Sequence, residues 1–291
     1  DVDDSSKIGI FLSTAEGPDN TFHKYWTMLK KSGFKRGNPL LFPETSLNIP
    51  AGYVSIAHTI VGPTITNASG LTAAHEILEM AVDYLAYGSI EHAVVISAEE
   101  LCDFVPWRIQ HERSAALDEA DWPKVSETEK SLMRTGANCL ILRKGEVPDR
   151  KGTIRAVSVR QAENLEHSLS LSLEDALAKA ALERGDIDVI ISQNNGISQL
   201  APLEERYLHN MFTESVPIIT LHSLLGNQFG NCSLLNIICA TILGQNTDLL
   251  QSVLLQELGS SGVDIEGNVV RNMLFVSLSP TGRCGTVIIK I

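Results

Sequence analysis

The sequence has few cysteines, and their spacing excludes the common zinc and disulfide frameworks. The five cysteines of the 291-residue chain form no Cys-x-x-Cys pair, and no Cys and His residues stand at metal-ligand spacing. An odd number of cysteines without a pairing pattern indicates reduced thiols and predicts a cytoplasmic protein. We therefore expect neither a metal ion nor a cofactor.

Positive charge is also scarce. The chain has 23 Lys and Arg against 35 Asp and Glu, a formal net charge of -12 and a pI near 5.1. Nucleic-acid binding needs clustered cations to contact phosphates, so this balance argues against a nucleic-acid partner. This balance does not exclude a small acidic protein as a partner, bound at a local basic patch.

The sequence lacks a long hydrophobic run and a leader. Its longest apolar stretch, residues 234–243, contains Asn236 and is too short to cross a bilayer. The first four residues are acidic, and no apolar segment follows them as in a signal peptide. We therefore expect no membrane association.

Short apolar segments alternate with helical patterns in two similar halves, residues 1–150 and 151–291. Alternating strands and helices are typical of α/β proteins with largely parallel sheets, and two copies indicate an α/β/α/β/α arrangement with central helices. Residues 37–52, rich in Pro, Gly and Asn, are predicted to form an irregular connection. The predicted strands are 7–13, 93–97, 137–142, 153–159, 188–192, 216–220, 273–277 and 286–290, and the main helices are 21–30, 71–85, 173–181, 203–211 and 231–243.

The most informative feature of the sequence is a predicted corner between a strand and a helix at Asn67. A short β-prone run after Gly62-Pro63 ends at Asn67, and an amphipathic helix begins beyond it. Many α/β enzymes place a nucleophile at such a corner, because the first N–H groups of the helix are unpaired there. An asparagine amide cannot form an acyl-enzyme in the usual way.

Several motifs, in this order, resemble those of the β-ketoacyl synthases of the thiolase fold. Gly62-Pro63 with residues 67–71 (NASGL) is similar to the family's nucleophile segment, where a Cys precedes a small residue and Ser-Gly-Leu. Residues 192–198 with Glu204 or Glu205 are similar to the loop of the first catalytic His. Residues 221–230 are similar to the segment carrying a Lys and the second His, and residues 277–282 to the gating loop. The resemblance implies a duplicated, five-layered thiolase-like fold.

Each departure from the family pattern replaces a residue that the family uses in catalysis. By the resemblance, Asn67 stands for the nucleophilic Cys, Asn194 and Asn227 for the two catalytic His residues, and His222 for the Lys. Condensation needs a thiolate to accept the acyl chain and two imidazoles for decarboxylation and enolate stabilisation. An asparagine donates hydrogen bonds but does not titrate near neutral pH. We therefore predict vacated catalytic positions and no independent condensing activity.

Within the family, this pattern resembles the chain length factor, the ketosynthase-like subunit of type II polyketide synthases. The resemblance implies a heterodimer with a catalytic ketosynthase, an acyl carrier protein as a further partner, and a tunnel for the growing chain at the heterodimer contact. It also makes Phe42, Thr45 and Ser46 candidates for the tunnel wall or interface. The alternative is a purely structural role, in which Phe42 anchors an ordinary irregular loop.

Two rival functions remain open from the sequence. The chain could be a divergent condensing or acyl-transfer enzyme that uses Ser69 or Cys102 as a substitute nucleophile, or a scaffold that kept the fold and lost the tunnel. Ser69 is more typical of a helix cap. His75 is predicted to be a satisfied core or interface histidine, and His222 either holds a polar network or simply packs.

Overall fold

The computed structural model describes residues 4–100, 135–145, 152–193, 200–212, 216–226, 230, 232–246, 248–250, 252–253 and 270–291. The described helices and strands alternate through most of the chain. The helices are α1 (Asp19–Ser32), α2 (Ile49–His58), α3 (Ala73–Ala86), α4 (Leu165–Ala180), α5 (Ala201–Met211), α6 (His222–Leu225) and α7 (Cys232–Gly244). The strands are β1 (Ile8–Ser13), β2 (Thr64–Asn67), β3 (His92–Glu99), β4 (Gly136–Arg143), β5 (Thr153–Gln161), β6 (Val189–Ser192), β7 (Ile218–Thr220), β8 (Asn272–Leu278) and β9 (Arg283–Lys290).

The strands form two mixed sheets, one in each half of the sequence. The first has the order β2-β1-β3-β4, and the second has the order β5-β9-β8-β6-β7. Strands β1, β2 and β3 are parallel, whereas β4 runs antiparallel to β3. In the second sheet β6 is parallel to β7 and β8, whereas β9 is antiparallel to β8 and β5. The sheets are thus less parallel than the sequence suggested, because β4 runs antiparallel to β3 and a short turn after β8 reverses the chain into β9.

Three apolar clusters define five layers. Helix α2 covers one face of the first sheet, where Ala51 packs with Ile10 and Leu12 of β1. Helices α3 and α7 lie between the two sheets and share the largest cluster with both of them. Helices α4 and α5 cover the far face of the second sheet. The predicted α/β/α/β/α architecture is therefore confirmed.

The corner helix α3 is buried because its apolar residues recur at helical spacing. Ala74, Leu78, Ala81 and Leu85 all lie in the cluster between the sheets, as the sequence stripe predicts. Beyond the helix, Gly88 adopts a left-handed conformation with φ of 74°. This glycine lets the chain turn from α3 into β3.

Helix α2 corrects the prediction of an irregular connection over residues 37–52. Its first turn contains Pro50, and Gly52 follows within the helix. Proline is tolerated in the first turn of a helix, where its missing N–H has no intrahelical partner to lose. The prediction was wrong for residues 49–52, because it treated both residues as helix breakers, whereas residues 37–48 form no α-helix or strand.

The division into residues 1–150 and 151–291 remains a prediction of two ketosynthase-like halves. Its boundary falls between β4 of the first sheet and β5 of the second. Side chains also join the two halves, since Glu79 of α3 pairs with Arg160 of β5 and Lys179 of α4. Any such halves are therefore docked through α3.

Candidate functional site

The corner at Asn67 has the geometry that the sequence predicts. Asn67 is the last residue of β2 and pairs with Ser13 of β1. Its carbonyl oxygen accepts a hydrogen bond from the Thr14 amide at 3.0 Å. A 3-10 turn, Gly70–Thr72, then leads into α3. The asparagine therefore lies at a strand-to-helix corner, before the amino end of a buried helix.

The side chain of Asn67 is held by hydrogen bonds at both ends. Its Nδ2 donates to Oε2 of Glu76 at 2.9 Å, and its Oδ1 accepts from the Ser69 amide at 2.8 Å. Both the donor and the acceptor capacity of the amide are thus used inside the protein. Asn67 fills its position with structural contacts.

Glu76 is the centre of this arrangement. Its carboxylate also accepts hydrogen bonds from the hydroxyls of Ser69 at 2.7 Å and Thr72 at 3.0 Å. The guanidinium of Arg283 approaches both carboxylate oxygens, at 3.2 and 3.3 Å. We call Asn67, Ser69, Thr72, Glu76 and Arg283 the Glu76 cluster.

The Glu76 cluster keeps its carboxylate ionised. Partial burial acts to raise the pKa of Glu76, but the hydrogen bonds from Asn67, Ser69 and Thr72 and the charge of Arg283 outweigh it and lower the pKa. Glu76 lies in the first turn of α3, where the helix dipole favours negative charge. A carboxylate with a lowered pKa is a poor proton acceptor.

This chemistry does not favour Ser69 as a substitute nucleophile. The Ser69 hydroxyl already donates to Glu76, whose lowered pKa makes it a weak general base. No histidine hydrogen-bonds to Ser69 among the contacts of the described residues. The other alternative, Cys102, lies outside the described residues.

Sequence reasoning did not identify two members of the cluster, Glu76 and Arg283. They are 207 positions apart in the chain, so no local pattern connects them. Arg283 begins β9 directly after a tight turn, in which the Gly282 amide donates to the Ser279 carbonyl at 3.0 Å. The residue directly after the segment predicted to resemble a gating loop, Arg283, therefore places its guanidinium at the Asn67 corner.

Replacement of Asn67 by cysteine tests the electrostatics of the corner. We expect the thiol of Asn67→Cys to have a raised pKa, because thiolate formation beside the Glu76 carboxylate places two negative charges together. Alkylation by iodoacetamide at neutral pH, followed peptide by peptide with mass spectrometry, should be about tenfold faster in the double variant Asn67→Cys/Glu76→Gln. Equal rates in the two backgrounds would contradict this assignment.

The other family motifs are described in part. Asn194 and Asn227 lie outside the described residues, and for His222 only its position at the start of α6 is described. Next to the first of these positions, the Ser192 hydroxyl donates to the buried carboxylate of Glu204, which selects Glu204 over the exposed Glu205. The neighbouring Gln193 accepts a hydrogen bond from Ser233 of α7.

A hydrogen bond connects the gating-loop motif with the corner. The Ser277 hydroxyl donates to the carbonyl of Leu71 at 3.2 Å, and the adjacent Val276 accepts from the Gln193 amide at 2.9 Å. The ends of β6 and β8 therefore meet the start of α3. Three of the sequence-predicted motifs are brought together in this way.

His75 is buried in the core, as predicted. Only 1% of the residue is exposed; the backbone of Phe275 approaches its ring, although neither ring nitrogen forms a hydrogen bond of normal geometry. Its ring lies against β9, where a Cβ on Gly285 would approach the His75 Cβ and Cγ atoms to 2.6 Å. Burial lowers the pKa of His75 to about 4, so the ring is neutral.

Among the described residues three cysteines pack in the protein interior, whereas Cys139 of β4 is exposed. Cys232 and Cys284 are buried, and Cys239 packs against the central apolar cluster, as the sequence predicted for the α7 residues. Burial raises the pKa of the Cys284 thiol. Among the described residues no group of His, Cys, Asp and Glu could hold a metal ion, and no helix is long and apolar enough to cross a membrane.

A cavity of about 470 Å³ lies at the carboxyl ends of β1 and β3. Its wall includes Thr14, Glu99 and the segment from Glu44 to Tyr53. Glu99 is buried and accepts hydrogen bonds from the Thr14 hydroxyl and from the amides of residues 15–17. Burial still raises the pKa of Glu99, to about 7.

The candidate wall residues Phe42, Thr45 and Ser46 are sequence neighbours of two residues that line this cavity. Phe42 is exposed, with its ring 5.8 Å from that of Tyr25, and Thr45 donates to the Phe42 carbonyl at 2.7 Å. Ser46 donates to the Asn48 side chain at 2.8 Å. The cavity wall itself is formed by their neighbours Glu44 and Leu47. A tunnel role for the three residues therefore stays a prediction.

Comparison with known proteins finds a family model that matches the first part of the chain. Residues 1–121 match the family model described as "Beta-ketoacyl synthase, N-terminal domain". The resemblance that the motifs suggested is thus confirmed by that family model for the first part of the chain and by the fold for the remainder.

Solved ketosynthase structures share this fold over nearly the whole chain. The structure described as "The ishigamide ketosynthase/chain length factor" has a TM-score of 0.76 at 17% identity, with 100% of this chain and 74% of that chain covered. A beta-ketoacyl synthase from Burkholderia phymatum STM815 also has a TM-score of 0.76, at 14% identity, with 98% and 75% covered. AntDE:AntF, described as a type II PKS acyl-carrier protein in complex with its ketosynthase, has a TM-score of 0.73 at 14% identity, with 99% and 78% covered.

Proposed function

We propose that this chain is a non-catalytic ketosynthase-like subunit, of the chain length factor type, in type II polyketide biosynthesis. The observation that carries the proposal is the Glu76 cluster. At the nucleophile corner an asparagine is tied by both ends of its amide to a carboxylate network. Such a corner stabilises the start of α3 but cannot accept an acyl group.

The chain's surface supports a protein partner of similar fold. Among the described strands, β2 is at the edge of its sheet, with β1 on one side of its backbone and no described strand on the other. Large apolar side chains in the segment that precedes β2 are exposed, among them Phe42, Tyr53, Ile56 and Val61. Exposed large apolar residues are enriched at protein interfaces. We propose a catalytic ketosynthase as the partner in this heterodimer.

An acyl carrier protein is the second proposed partner. The structure similar to this chain that is described as a ketosynthase complex contains such a carrier. A carrier would present the growing chain to the catalytic subunit, while this subunit contributes surface and tunnel wall. The acidic balance of the chain does not support a nucleic-acid partner.

The cavity beside Leu47 supports a role in shaping a chain tunnel. It borders the segment with Phe42, Thr45 and Ser46, which continues into the exposed apolar surface. We propose that side-chain volume along this segment limits how far an acyl chain extends. A larger wall residue would stop the chain earlier, and a smaller one later.

Co-expression with the neighbouring genes tests the heterodimer. We expect a stable one-to-one complex with a ketosynthase that carries the nucleophilic Cys, measured by size-exclusion chromatography with light scattering. Ile56→Glu, which places a charge in the exposed apolar surface, should weaken the complex, whereas Tyr87→Glu on another exposed site should not. A chain that remains monomeric beside its ketosynthase would contradict the proposal.

The tunnel role predicts a change in product length. Phe42→Ala should lengthen products or broaden their length distribution without loss of the complex, because it removes a bulky exposed ring from the segment that also contributes Glu44 and Leu47 to the cavity wall. Mass spectrometry of the products would measure the change, and Tyr87→Ala provides a control at an exposed aromatic residue elsewhere. Products of unchanged length from Phe42→Ala would refute this residue's assignment.

A further inference from the structure

The cavity at the carboxyl ends of β1 and β3 lies where the order of the strands reverses. From β1 the chain passes through α1 and α2 to β2 on one side, and from β2 it passes through α3 to β3 on the other side of β1. Such a reversal leaves a crevice beyond the carboxyl ends of the two neighbouring strands, where α/β proteins commonly bind ligands. The cavity volume of about 470 Å³ is within the range of roughly 300–1,000 Å³ that is typical of small-molecule sites.

Apolar side chains cover most of the cavity wall. They come from β1, from the end of β3, from the start of β4 and from the segment that leads into α2. The larger set includes Leu12, Leu47, Ile49, Pro50, Ala98 and Ala137. A wall of this kind holds the hydrocarbon part of a ligand, because both surfaces are removed from water on binding. The cavity therefore suits a molecule with an apolar body.

The charged groups of the cavity wall are all negative. They are the carboxylates of Glu44, Glu99 and Glu100, and no Lys, Arg or His is present among the described residues that line the cavity. The Tyr53 hydroxyl donates to Glu44. The amide and the hydroxyl of Thr21 donate to Glu100, at 3.2 and 3.4 Å. Hydrogen bonds from such neutral donors leave the negative charge in place, so the polar part of the wall attracts a cation.

Glu99 is the most buried of the three carboxylates, with 3% of the residue exposed. It accepts hydrogen bonds from the Thr14 hydroxyl and from the amides of residues 15–17, which are all neutral donors. Burial raises its pKa, and the nearby carboxylate of Glu16 acts in the same direction. Buried charges in proteins are usually paired, but Glu99 forms no salt bridge within the described part of the chain. A bound cation would supply this counter-charge.

The arrangement favours an organic cation over a metal ion. Within the described ranges, no group of three or more His, Cys, Asp and Glu side chains is placed to hold a metal, and this includes the three carboxylates of the cavity. A protonated amine needs only hydrogen-bond acceptors at one end, and its hydrocarbon part contacts the apolar wall. A fatty acid would instead bring its carboxylate close to charges of the same sign.

We propose that this cavity binds a small amphiphilic amine, with its ammonium group at the carboxylates of Glu44, Glu99 and Glu100 and its hydrocarbon part against the apolar wall. The ligand class rests on the cavity alone. Its consequence for the chain tunnel rests on the proposed function: the same wall accepts a chain that ends in an amine and rejects one that ends in a carboxylate.

Three probes with the same hydrocarbon chain test the charge preference. They are octylamine, octanol and octanoate, and their Kd values for the purified protein are measured by calorimetry near neutral pH. Octylamine should bind about tenfold more tightly than octanol, and octanoate should bind most weakly. Glu44→Gln/Glu100→Gln should remove most of the preference for the amine. Glu166→Gln/Glu205→Gln changes the net charge equally at two exposed residues outside the cavity and should leave the preference unchanged.

A bulky substitution on β4 tests whether the probes occupy the cavity. Ala137 lines the cavity, so Ala137→Trp should weaken the binding of octylamine and octanol about tenfold or more. Ile141 lies on the same face of β4, because side chains alternate along a strand, but it is not part of the cavity wall. Ile141→Trp is therefore the matched control and should leave binding unchanged.

Several outcomes would overturn the inference. They are octanoate or octanol binding as tightly as octylamine, no binding of octylamine at all, or octylamine binding that Ala137→Trp leaves unchanged. The proposed function fails differently, through absence of the ketosynthase complex. A chain that bound octylamine in the cavity yet never paired with a ketosynthase would support the amine site and contradict the heterodimer.

Discussion

Gly62→Ala should prevent the chain from folding into a stable protein. A Cβ atom at this position would lie 2.0 Å from the carbonyl oxygen of Ile8 and 2.8 Å from that of Ser6. Both obstacles are backbone atoms, so relief of the clash requires β1 and the approach to β2 to separate. We expect a loss on the order of 4 kcal/mol, measured as insoluble expression or a much lower denaturant midpoint.

Gly52→Ala is the matched control. Gly52 lies within α2, and a Cβ there would meet no atom within 4 Å. Alanine is favoured over glycine inside a helix by about 1 kcal/mol, so this variant should be slightly more stable than the parent. If Gly62→Ala were as stable as Gly52→Ala, the close approach that positions the Asn67 corner would be refuted.

The buried His75 should make the protein lose stability as the pH falls from about 6.5 to about 4. Its pKa is about 4 in the folded protein, against about 6.5 in an unfolded chain. Over this interval the unfolded chain binds the proton and the folded protein does not, so protonation favours unfolding. Over the whole interval, His75 should lower the free energy of unfolding by roughly 3 kcal/mol.

The comparison of His75→Leu with the parent protein isolates this effect. Glu99, whose pKa is raised to about 7, has the opposite sign, since the folded protein binds its proton first, but it is present in both proteins and cancels in the difference. Urea unfolding between pH 4 and 7 should show that His75→Leu gains stability relative to the parent at low pH. His167→Leu, which removes an exposed histidine on α4, should not. Parallel curves for His75→Leu and the parent would disprove a neutral buried His75.

The fold was largely predictable because burial in a layered protein leaves a periodic pattern. Strands such as β3 and β6 are covered on the sheet faces and consist of short apolar runs, and α3 shows its buried stripe at helical spacing. Helix ends were less predictable. The helix predicted at 173–181 corresponds to α4, which already begins at Leu165 and ends at Ala180, where the non-glycine residue Ala181 adopts the left-handed conformation.

The candidate site was predictable only in its local part. Asn67, Ser69 and the helix after them are close in sequence, so a corner could be inferred from turn and helix signals. The contact between Glu76 and Arg283 depends on docking of α3 against β9 and follows from no local pattern. Sequence reasoning therefore predicted a corner without a nucleophile but not the ionic network around Asn67.

Mass spectrometry of the intact complex after incubation with an acylated carrier protein tests the central claim most directly. The account predicts an acyl adduct on the catalytic Cys of the ketosynthase and none on this chain, whose corner holds Asn67 bound to Glu76. An acyl adduct on this chain that is retained in Asn67→Ala and lost in Ser69→Ala would contradict the account, because it would identify a working nucleophile in the same corner.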